Sequence, residues 1–69
     1  MKVNKLKARM VEKGVSAGEI SEFMGINTVT FYRKIRHNYF TVKDLSAIST
    51  ILGLSNSDLL DIFFEKEGA

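Results

Sequence analysis

The sequence predicts an all-α fold, a compact bundle of five short helices forming one domain over residues 1–69. Three observations carry this. Helix start and stop signals recur every ten to fifteen residues or so, apolar residues between them fall three or four apart, and the chain has no proline and no useful alternating β-branched run from which to propose a sheet. A chain of 69 residues buries only about 60% of its unfolded surface. It has no cysteine, so no disulfide or Cys-based zinc site staples it and the apolar core must supply the stability.

The first helix is expected over residues 4–13, with Leu6 and Met10 on an apolar stripe that Val3 extends and Gly14 as its left-handed stop. Val15 packs back over that stop. Ser16 and Glu19 form a reciprocal capping box for the second helix, which places Ile20 and Met24 on one face and ends at Gly25. Asn27 caps the third, expected to run to Arg36 with Phe31 and Ile35 one turn apart. After a polar and aromatic connection over residues 36–40, Thr41 and Asp44 box the fourth helix, whose Leu45, Ile48 and Leu52 share a stripe up to Gly53. Ser55 with Asp58 opens the fifth, with Asn56 and Ser57 as competing caps.

Charge is unevenly distributed. Residues 1–36 hold eight Lys/Arg against three Glu, and residues 37–69 hold two Lys against five Asp/Glu, so a half at net +5 adjoins one at net −3. That asymmetry suits a basic face turned to a polyanion. No apolar run reaches the ~20 residues of a membrane span and the start lacks a signal-peptide core, so a cytoplasmic location is expected. The single histidine, His37, builds no metal site alone, and no paired carboxylates, nucleophile and base, or phosphate loop stand out. Neither an enzyme nor a cofactor is expected.

Residues 16–36 place two short helices around a Gly-containing turn, the geometry of a helix-turn-helix. With Thr28 at zero on a wheel of 100° per residue, Thr28, Tyr32, Arg36, Val29 and Arg33 span about 0–140°, and Phe31 and Ile35 lie near 300–340°. One face is therefore buried and the other free. The free face suits a DNA major groove: Arg33 can donate bidentately to guanine, Thr28 and Val29 offer apolar contact to thymine methyls, and Tyr32 carries a ring and a hydroxyl. Lys34 and Arg36 are assigned to phosphates. The helix opening at Asn27 also presents backbone amides that attract phosphate.

The stretch Ser16-Ala-Gly-Glu-Ile-Ser-Glu-Phe-Met-Gly-Ile-Asn-Thr-Val-Thr-Phe-Tyr-Arg-Lys-Ile resembles the phage-repressor, or Cro-like, helix-turn-helix family. Ile20 and Ser21 match its apolar and small positions early in helix two, Gly25 and Ile26 its turn, and Phe31 its buried position in helix three. The run Phe40-Thr-Val-Lys-Asp-Leu-Ser-Ala-Ile-Ser-Thr-Ile-Leu-Gly-Leu-Ser, followed by Asp58-Leu-Leu, resembles its fourth and fifth helices. The segment Thr30-Phe-Tyr-Arg-Lys-Ile and the ending Ile62-Phe-Phe further resemble small repressor-like proteins of phages and mobile elements of Gram-positive bacteria. The resemblance implies a transcriptional repressor on double-stranded DNA in the bacterial nucleoid. The chain departs from the pattern at Ala17, where many members carry a glutamine that bridges phosphate and recognition helix, and at Ile35-Arg-His-Asn, which replaces a common Asn-Gly or Glu-Arg-Gly ending.

Each feature also has a plainer explanation. Phe31 and Ile35 are core residues first. Arg33, Lys34 and Arg36 alone would pass for a solvated basic face, Tyr32 for a cover over Tyr39 or Phe40, and His37 for an exposed loop residue. The last helix puts Leu59, Leu60, Ile62, Phe63 and Phe64 into six positions, wider than one core stripe requires. Either the helix is folded deeply into the core, or Leu60, Phe63 and Phe64 face a second copy in a homodimer, which would suit two DNA half-sites. The alternative function is a protein-interaction module, antirepressor-like or antitoxin-like, using that apolar helix.

Overall fold

The computed structural model describes residues 2–64. They form five helices and, among the described residues, no strand: α1 (Val3–Lys13), α2 (Ala17–Met24), α3 (Thr28–His37), α4 (Val42–Leu52) and α5 (Asn56–Phe63). Glu65, Lys66 and Glu67 of the acidic half lie outside the described residues.

The expected caps hold. The Ser16, Thr41 and Ser55 hydroxyls accept from the amides of Glu19, Asp44 and Asp58, whose carboxylates accept in return from the cap amides, closing three reciprocal boxes. Asn27 Oδ1 accepts from the Thr30 amide at 2.8 Å. α1 differs: it begins at Val3, one residue early, with no side-chain cap. Its entry is tied across the bundle, the Lys2 amide donating to the Ile62 carbonyl at 2.8 Å. α3 runs one residue further than expected, to His37, because Asn38 adopts the left-handed conformation at φ 51° and ends it. Asparagine tolerates that region better than other residues bearing a Cβ.

α1 to α4 all end alike. The residue after the left-handed one donates its amide to the carbonyl five positions back, in the pairs Val15 to Met10, Ile26 to Ser21, Tyr39 to Lys34 and Leu54 to Ser49. This Schellman closure normally turns an apolar side chain back onto the helix. Val15 and Ile26 pack against the core and Leu54 is buried, whereas Tyr39 stays 69% exposed.

Leu6, Ile20, Phe31, Ile48, Leu52, Leu54, Ile62 and Phe63 form the core, so each helix contributes at least one buried residue. α2 is central, packing on α3 and α4, and α1 bridges α4 and α5. Ser21 is buried but satisfied, its hydroxyl donating to the Ala17 carbonyl at 2.7 Å. α5 divides the apolar cluster: Ile62 and Phe63 point inward, with Phe63 edge-on to Phe40 at 5.4 Å between ring centres, and Leu60 and Phe64 are 57% and 51% exposed. Phe63 therefore corrects the expectation of a dimer-facing residue, because the core takes its ring.

Candidate nucleic-acid interface

α2, the three-residue turn over 25–27 and α3 set up the site. Gly25, at φ 76°, makes the left-handed stop that reverses the chain. Phe31, fully buried, pins α3 to the core, with Ile35 packed beside it. The opposite face is open: Thr28, Val29, Tyr32, Arg33 and Arg36 are all exposed, Val29 by 66% and Tyr32 by 47%. Val29, Tyr32, Arg33 and Arg36 line one shallow cleft. These are the residues that the helical wheel groups on the free face, and Asn27 sits exposed at their head.

Among the described residues, Arg33 and Arg36 have no acidic partner, and neither has Lys7. Lys13 is likewise unpaired among the described residues, whereas Lys2, Lys5, Arg9 and Lys34 are occupied. Lys2 and Lys5 both reach Asp61, the latter at 2.7 Å, and Arg9 meets Asp58 at 2.7 Å and Glu12 at 3.7 Å. The acidic half thus pairs with Lys5 and Arg9 of α1, and α3 keeps two open arginines on one exposed face. α2, α4 and α5 each carry a carboxylate in the first turn and α3 has none, so nothing there opposes the partial positive charge of its N-terminus.

Lys34, expected at a phosphate, is paired within the fold. At about 240° on the same wheel it lies on the flank between the buried and free faces. Its ammonium donates to Asp44 Oδ2 at 2.9 Å, both side chains being only 15% exposed, and stands 5.2 Å from the centre of the Tyr39 ring. Partial burial pushes the Asp44 carboxyl up. The hydrogen bond from the Thr41 amide and the Lys34 ammonium outweigh this and hold it below its ordinary value. The wheel angle was available from the sequence, but the partner ten residues on was not, since the turn over 38–41 has to fold before the two charges meet.

Tyr32 covers neither Tyr39 nor Phe40. Its nearest ring is Phe31, tilted at 5.8 Å, and it borders a groove of about 440 Å³ that it shares with Lys7, Met10, Val15 and Ala17. Nothing in the sequence marks Lys7, because only packing brings α1 and α3 to line one groove. His37 is exposed on the last turn of α3. Among the described residues no group of three or more His, Cys, Asp or Glu is placed to hold a metal, and no helix is long and apolar enough to cross a membrane. Comparison of the chain with protein-family models, with curated proteins and with solved structures gives no match.

Proposed function

We propose that the chain is a sequence-specific double-stranded DNA-binding regulator, a repressor of the Cro-like kind, in which α2 and α3 act as a helix-turn-helix and α3 enters the major groove. One observation carries the reading: a helix pinned by a buried Phe31 presents two arginines that have no acidic partner among the described residues, beside Val29 and Tyr32 on one exposed face. Arginine in such a setting reads guanine bidentately or neutralises phosphate, and flanking apolar groups meet thymine methyls. Arg33, Thr28, Val29 and Tyr32 contact bases, and Arg36 and the amides after Asn27 contact phosphate. Repression works by occupancy of an operator and needs no catalytic step.

The exposed Leu60 and Phe64 support a homodimer, which would double the site and its specificity. They equally suit a protein-interaction module, the second reading. Selection from random duplexes at about 50 and 200 mM salt separates the two, because phosphate contacts make affinity fall steeply with salt. Enrichment of a short palindromic site is expected. Retention of no sequence, with little salt dependence, overturns the DNA reading in favour of the module.

A further inference from the structure

We propose that Lys34 is a positioning residue, locking the last turn of α3 onto the start of α4 so that Arg33 and Arg36 are presented at a fixed angle, and that it makes no phosphate contact. The inference rests on the DNA reading for what is presented, and on the free protein for the lock itself.

Four features converge on this side chain. Its ammonium lies 2.9 Å from Asp44 Oδ2, and that same oxygen accepts the Thr41 amide at 3.0 Å, so the charge is tied into the capping box that starts α4. Both partners are largely shielded from water, where an ion pair is screened less than on an open surface. The ammonium also lies over the Tyr39 ring, 5.2 Å from its centre, within the range of a cation–π contact. The Tyr39 amide also donates to the Lys34 carbonyl at 2.9 Å.

The comparison among helix ends shows why a lock is needed here. In a Schellman closure an apolar contact between the residue past the stop and the last turn commonly accompanies the hydrogen bonds. At α1, α2 and α4 the corresponding Val15, Ile26 and Leu54 reach the core, but Tyr39 does not. The contact falls instead on Tyr39 and Lys34, the two residues that share the closing hydrogen bond. α3 packs mainly on α2, so this pair and its link to Asp44 add to the packing of Ile35 in holding the end of α3 that carries both arginines. A lysine held by Asp44 and Tyr39 and only 15% exposed has to leave these partners to extend to a phosphate.

The test compares Lys34→Gln, Asp44→Asn, the double variant and Lys34→Arg. In the free protein, hydrogen exchange at the Tyr39 amide should accelerate by about tenfold or more in both single neutral variants, with the Ile26 amide as internal reference, and should not accelerate further in the double variant. On DNA, both single variants should lower the ratio of affinity for the selected site over random duplex by about tenfold, with the salt slope unchanged, and Lys34→Arg should keep the ratio. A phosphate contact predicts the reverse: Lys34→Gln reduces the slope by about one and Asp44→Asn, which removes a negative charge, tightens every duplex. That result, or unchanged exchange at Tyr39, overturns the proposal. If the parent protein enriches no duplex, the DNA reading fails separately, and the exchange rates still decide whether Lys34 is a lock.

Discussion

Neighbouring residues of one type have opposite roles here, and substitutions should separate them. Phe63→Ala should cost about 3–5 kcal/mol, the range for emptying a buried aromatic site, because its ring sits 6% exposed against Phe40. Phe64→Ala, at a half-exposed position, should cost about 1 kcal/mol or less; urea denaturation followed by circular dichroism checks both. The same contrast runs through the basic residues. On the proposed DNA reading, Arg33→Ala should reduce discrimination between the selected site and its single-base variants by about 1–3 kcal/mol, as measured by competition binding. Arg33 and Lys34 are adjacent in sequence but 100° apart around the helix, enough to put one in solvent and the other beside Asp44.

At the scale of the element, the helix ends were legible in the sequence because capping is local chemistry. Ser16 with Glu19, Thr41 with Asp44 and Ser55 with Asp58 lie three residues apart, and their hydrogen bonds join groups within a single turn. Gly25→Ala tests the turn that sets α3. A Cβ there would meet nothing within 4 Å, so the penalty is purely that of the left-handed backbone, about 1–2 kcal/mol, measured as a lowered thermal midpoint. The two ends that differ by one residue from the sequence expectation, the start of α1 and the end of α3, are those set by something other than a box. α1 is anchored by the Lys2 amide on the Ile62 carbonyl, sixty residues away, and α3 ends on an asparagine in a conformation more usual for glycine.

For the whole molecule, charge and pH are where tertiary structure overrides composition. Folding carries Asp58 and Asp61 to the cations of α1. For Asp58 the Ser55 backbone hydrogen bond and then Arg9, and for Asp61 the Lys5 ammonium, hold the carboxyl below its ordinary value. Asp44 is lowered as well. Each folded-state value lies under the unfolded one, so the linked stability is present above the ordinary value of 3.8 and is lost as pH falls through the lowered values. Stability should therefore be flat near neutrality and fall below about pH 4; urea midpoints measured between pH 3 and 7 show it, and Asp44→Asn should flatten part of the fall. The sequence by itself determined the five helices, the N-caps of α2 to α5, the inward Phe31 and the outward Arg33, since helical periodicity and capping depend only on residues within a turn of one another. Only the tertiary structure decided that Lys34 is engaged, that Phe63 belongs to the core and Phe64 does not, and that Lys5 and Arg9 of the basic half pair with the acidic one. Those outcomes depend on which helices meet, and pairs such as Lys5 with Asp61 are brought together by packing across the whole chain.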